Sequence, residues 1–152
     1  MSRMESHSRE RLTVTSRLDK DSDMTKRFKF FVKESEVKPY SPLNHTGTVN
    51  RRLIGPKETG SENLEVLLGV VSKSHGALPH SHPGIDQVCY VIEGRAVAEI
   101  GGERDELGPG DVCFFPANMP HTFTAVSDEP VRVLVIYTPP YGETGAVTHA
   151  SA

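Results

Sequence analysis

Several things are scarce in this sequence, and each scarcity closes off a class of protein. Cysteine occurs twice, as Cys89 and Cys113, too few for a disulfide framework. Each lies within an apolar run, so both are read as buried, reduced thiols. No apolar run reaches the ~18 residues of a membrane span. The first 27 residues are polar and charged and carry no signal-type apolar core. Neither sign of charge dominates: 17 Lys and Arg stand against 20 Asp and Glu, for a net charge of -3. The two signs are interspersed, which gives no electrostatic reason to expect nucleic acid or an anionic membrane as partner. No stretch shows a convincing helical period. These absences leave the expectation of a soluble, cytoplasmic protein that meets small molecules.

What is present reads as strands and turns. The 152 residues suit one domain, which at that size buries roughly 68–70% of its unfolded surface and needs no staple. Met1–Asp23 is rich in Ser, Arg, Asp and Glu and cannot bury enough surface to offset its ordering entropy. Met24 offers a second possible start, so residues 1–27 are expected to be a disordered or start-site extension. Apolar composition begins at Phe28. Strands are expected over Thr46–Ile54, Leu64–Val71, Val88–Ile92, Arg95–Ile100, Val112–Phe115, His121–Val126 and Val131–Tyr137. Gly69 inside the second of these suggests a bulge or close packing. The reversals are Gly55-Pro56, Gly101-Gly102, Gly108-Pro109-Gly110-Asp111 and Pro116–Pro120. Short strands at this spacing argue for an all-β, antiparallel sandwich or barrel over residues 28–141, with 142–152 a loose tail. In Gln87–Ile92 both strand faces are apolar, whereas a sheet with one wet face alternates. The outer face is therefore expected to be covered by the N-terminal segment or by a second subunit, and a homodimer is expected.

The chemistry gathers between Pro79 and His121. His80 and His82, at i and i+2 on an extended segment, point to one side about 6.6 Å apart along the strand. One metal ion fits between such rings, since His–metal bonds are short, roughly 2.0–2.1 Å for zinc. His121 reaches the same point only if the chain folds back several times, and the turn signals supply those reversals.

The spacing resembles the cupin superfamily, whose small double-stranded β-helix (jelly-roll) barrels carry two motifs around an interior metal. His80, His82 and Gly94 match the first motif, with Gln87 where Glu is usual. Gly110, Pro116 and His121 match the second, with Asn118 where Gly is common and Ala125 where Asn is common. The resemblance covers about residues 64–138. It implies one divalent transition metal ion (Fe, Mn, Ni or Zn) held by His80, His82 and His121, with Gln87 fourth by position. Asp86 is the alternative fourth ligand if the register slips by one residue, a slip that would turn every neighbouring side chain to the opposite face. A neutral amide is a weaker donor than a carboxylate and leaves more positive charge on the site.

The implied activity is a metal-dependent, dioxygenase-like oxidoreductase on a small organic substrate. Alternatives are a Lewis-acid lyase or isomerase, for which Gln87 supplies no base, and a non-catalytic ligand-binding or sensing barrel. Phe114, Phe123, Val91 and Ile136 are candidate pocket walls, depending on facing. Arg51 and Arg52 are read as an exposed, salt-bridged pair, with an anion-binding guanidinium the alternative. Tyr40 and Tyr90 are read as packing and Cys89 as an inward-facing filler. His75 is taken as a solvated loop residue, and His7, His45 and His149 as unrelated to the metal.

Overall fold

The computed structural model describes residues 28–147. Apart from one 3-10 turn at Glu34–Glu36, its regular structure is all strand: β1 Tyr40–Pro42, β2 His45–Ile54, β3 Glu65–His80, β4 Asp86–Glu93, β5 Ala96–Ile100, β6 Glu103–Leu107, β7 Val112–Phe115, β8 His121–Ala125, β9 Val131–Thr138 and β10 Gly145–Val147. All pairings are antiparallel. No helix among the described residues is long and apolar enough to cross a membrane.

Strand β3 organises the topology. Along one side it pairs with β2; along the other its first half pairs with β9 and its end with β8. From β9 the ladder runs on to β4 and β7; from β8 it runs to β5 and β6; from β2 it runs to β1 and β10. The three arms curl into a jelly-roll barrel that is nearly closed, with β6, β7 and β10 as edge strands. Serving two ladders requires a corner in β3, and Gly76 makes it. Its φ is +149°, and a Cβ there would stand 1.9 Å from the Phe123 carbonyl oxygen. Only glycine allows that approach.

Alternation then fills the interior. Val131, Val133, Val135 and Tyr137 of β9 face inward, joined by Gln87, Cys89 and Val91 of β4, Leu67 and Val71 of β3, Phe115 of β7, Phe123 of β8 and the small Ala96 and Ala98 of β5. Each fully buried valine of this kind contributes about 1.5–3 kcal/mol. Gly69 marks close packing rather than a bulge. It pairs in register with Asn50 and Val133, and a Cβ would meet the Asn50 amide oxygen at 3.0 Å.

Several expectations shift. Strand β3 runs on through Ser72–His80, a largely exposed and polar stretch. Strand β6 is Glu-Arg-Asp-Glu-Leu, exposed except at its last residue, so it has no apolar period to detect. Residues 142–147 are not a loose tail: Gly145–Val147 pairs with Tyr40–Pro42. Residues 1–27 and 148–152, with the expected N-terminal extension, His7 and His149, lie outside the described residues. Phe114 and Ile136 do not wall the interior, because they alternate with the inward Phe115 and with Val135 and Tyr137. On the outer face Tyr90, Ile92, Val112 and Phe114 are exposed, with Tyr90 opposite Val112 and Val88 opposite Phe114. Among the described residues nothing covers them.

Replacing Gly76 by alanine is expected to lower the unfolding free energy by about 2 kcal/mol, from backbone strain and the forced retreat of β8. Urea denaturation checks this; an unchanged midpoint would mean the corner is not where β3 is constrained.

Candidate metal centre

The two histidine segments meet because β3 ends where β8 begins. His80, the last residue of β3, pairs in register with His121, the first of β8. His82 lies two residues on, in a loop knitted to the 116–120 turn. The Asn118 amide donates to the His82 carbonyl at 3.0 Å, and the Gly84 amide donates to the Asn118 side-chain oxygen at 3.2 Å. Asn118 has φ +67°, a left-handed conformation that asparagine tolerates better than most residues, so it replaces a glycine here at little cost. The Ala117 amide donates to Asp86 Oδ1 at 2.9 Å. That bond ties Asp86 to the turn, while the next residue, Gln87, is buried in the barrel.

The donor atoms of His80, His82 and His121 all lie within 4.8 Å of one another, so three histidines are positioned to bind a metal. His80 Nε2 and His82 Nε2 are 3.1 Å apart. Two imidazole nitrogens bonded to one ion at roughly 2.0–2.1 Å and at right angles stand about 2.9 Å apart. Backbone carbonyls set the ring orientation. His80 Nδ1 donates to Leu78 O at 2.6 Å, and His121 Nδ1 donates to Met119 O at 2.9 Å. A carbonyl only accepts, so the proton sits on Nδ1 and Nε2 keeps its lone pair for the site.

A second observation tests the fit of a cation. His82 Nδ1, His121 Nε2 and Gln87 Oε1 are buried and have no hydrogen-bond partner among the described residues. An orphaned buried polar atom costs about 1–3 kcal/mol, and such atoms are rare in folded proteins. The two that are lone-pair acceptors, His121 Nε2 and Gln87 Oε1, fit a positively charged occupant. Gln87 Nε2 donates to Cys89 Sγ at 3.3 Å, and the Gln87 side chain also bears on the His82 imidazole. Burial lowers the pKa of all three imidazoles. His82 falls to about 4, through burial first and then the neighbouring His80 and His121. Neutral imidazoles are the ligating form.

Aromatic rings fix these side chains. Phe115 stacks on His121 with centroids 4.1 Å apart, and Tyr141 and Tyr137 meet His82 edge-on at 4.3 and 5.3 Å. Outside lies a mouth of about 100 Å³ that includes Leu43, His45, Tyr141 and Glu143. Inside lies a mostly apolar cavity of about 40 Å³ into which Asn50, Gln87, Tyr137 and Glu143 bring polar groups.

Some placements differ from expectation. His45 is not remote: its ring centroid is 5.9 Å from that of His80. Arg52 is salt-bridged as expected but partly buried rather than exposed: its guanidinium pairs with Glu65, which is fully buried, and with Glu58, so it is not free for an anion. Tyr40 is buried and its hydroxyl donates to Glu143 at 2.8 Å, whereas Tyr90 lies on the outer face. His75 is exposed. Glu143 and Tyr141 escaped the sequence reading altogether, since they follow Pro139-Pro140 in a stretch with no strand pattern.

Two outcomes follow from this geometry. Elemental analysis after purification is expected to show near-complete metal loss in His121→Ala and partial loss in Gln87→Ala. The metal-free protein is expected to lose stability as pH falls. His82 takes up a proton near pH 6.5 when unfolded but only near pH 4 when folded, so the unfolded state binds more protons between these values. The His82 contribution is fully present above about pH 6.5 and is lost on descent to about pH 4. Thermal melts across that window should show a slope that His82→Gln lacks.

Comparison with known proteins agrees with the geometry. The cupin domain family profile matches residues 67–137. The uncharacterised protein MJ1618 of Methanocaldococcus jannaschii is 26% identical over 106 residues, covering 70% of this chain and 83% of its own. The polyketide synthase CurC of Streptomyces cyaneus is 28% identical over 104 residues, 68% of each chain. Among solved structures, the polyketide cyclase RemF of Streptomyces resistomycificus superposes with a TM-score of 0.65 at 24% identity, covering 81% of this chain and 88% of that one. With the paired histidine segments at the rim of a jelly-roll barrel, this identifies residues 67–137 as a cupin domain.

Proposed function

We propose that this protein is a metal-dependent enzyme acting on a small organic substrate at the three-histidine centre. The observation that carries the reading is the convergence of the His80, His82 and His121 imidazoles at the edge of a cavity, with buried, unpartnered atoms on His82, His121 and Gln87. A divalent ion bound there supplies Lewis acidity, and with a redox-active metal a route for electrons to dioxygen. The chain's own residues do the rest. His80 and His121 are held by backbone carbonyls, so their lone pairs need no reorganisation. Phe115, Phe123 and Val91 wall off water from below. Gln87 presents an amide oxygen as the fourth donor. Three or four protein donors leave room for a substrate that binds through two oxygens.

A dioxygenase-like oxidation is the first reading. A Lewis-acid lyase or isomerase is the second, and one observation favours it: Glu143 places a carboxylate in the cavity, where the histidine motifs supply no base. The relationship to CurC supports small organic metabolites as the substrate class. Oxygen-electrode assays of the Fe(II)-loaded protein with a panel of small 1,3-dicarbonyl and catechol compounds decide between them. Oxygen uptake matched to substrate loss is expected for the first reading, and product without oxygen uptake for the second. Absence of metal from the wild-type protein would overturn both.

We also propose that a second copy covers the outer face around Tyr90, Ile92, Val112 and Phe114. Sedimentation is expected to give a dimer that Phe114→Glu converts to a monomer. A monomeric wild type would sink the dimer.

A further inference from the structure

Three neutral imidazoles and a neutral amide bring no negative charge to a buried cation. An ion leaving water for such a site loses hydration that these dipoles only partly replace. The chain nevertheless puts one carboxylate into the same cavity, from outside both histidine segments. Glu143 is buried and lines both the mouth beside His80 and His82 and the inner cavity beside Gln87. Its placement is built rather than incidental. Oε1 accepts from the Tyr40 hydroxyl at 2.8 Å and from Asn50 Nδ2 at 2.6 Å. Arg52 holds its carbonyl, and the preceding Gly142 amide donates to Glu65 Oε2 at 2.7 Å. The pairing of β10 with β1 fixes the segment from the other side. Glu143 is absent from the group of donors within 4.8 Å of one another, so it does not share their first ring.

We propose that Glu143 supplies, from outside the ligand ring, the negative charge that the site lacks at Gln87, and so sets the affinity of His80, His82 and His121 for a divalent cation. The inference rests on the metal-centre reading. Its reach has a physical basis, since a charge in a cavity with low-dielectric walls is weakly screened. A purely structural Glu143 would serve only as an acceptor for Tyr40 and Asn50.

The test uses Zn²⁺ alone, with affinities measured on the full chain by chelator competition and apo-protein melting followed alongside. Glu143→Gln keeps an acceptor oxygen for both donors and removes the charge. It is expected to weaken zinc binding by about 10–100-fold, with the apo melting temperature little changed. Glu143→Asp keeps the charge while disturbing the hydrogen bonds, and should hold zinc within about threefold of wild type even if it melts earlier. Adding Gln87→Glu to Glu143→Gln should recover most of the lost affinity. Zinc affinity of Glu143→Gln within twofold of wild type, with His121→Ala abolishing binding, would overturn the inference and leave the metal centre standing. Equal losses in Glu143→Asp and Glu143→Gln would overturn it in favour of a structural clamp. A wild type that binds no zinc would remove the metal centre and this inference with it.

Discussion

The structure depends on one register: His80 of β3 set opposite His121 of β8. That pairing closes the barrel at its rim and brings together two segments that the chain keeps far apart. Backbone hydrogen bonds do the placing. The ladder fixes the Cα positions, the Leu78 and Met119 carbonyls fix the rings, and the Asn118 bridge brings His82 to the same point. Main-chain carbonyls set the rings of His80 and His121, with the Asn118 side chain and the flanking aromatic rings completing the support.

Below the rim, β9 and β4 interleave large inward side chains, and β5 offers only Ala96 and Ala98. Beneath the imidazoles lies a narrow, mostly apolar cavity walled by β9, β3 and Phe123 and entered by the polar groups of Asn50, Gln87 and Glu143. The same alternation sends Tyr90, Val112 and Phe114 outward. One strand pair thus makes both the floor of the site and an apolar outer surface.

Much of this was legible beforehand. The period-2 strands β5, β8 and β9 stand near their expected limits because each buries one face, which is what alternation records. The histidine pair and its distant partner were readable because ligand spacing is a constraint on sequence itself. The turn at Asn118 was legible only as a departure from the family pattern, until its positive φ showed why asparagine serves. Strand β6 was hidden because both its faces meet solvent, and the far half of β3 because its polar residues record a ladder rather than a core. Glu143, Tyr141 and His45 were invisible for another reason. Their importance comes from where the C-terminal segment and the start of β2 cross the barrel mouth, and that crossing leaves no local pattern. Asn50, too, reads as an ordinary strand residue until the Glu143 carboxylate is found beside it.

The distance along the chain between His80 and His121 has a thermodynamic side. An ion gripping both would act as a staple between the first and second motifs, and a tether across so long a loop removes conformational freedom chiefly from the unfolded chain. Occupancy and cohesion of the barrel would then be two readings of one equilibrium, so that cellular metal supply would set the protein's lifetime as well as its chemistry.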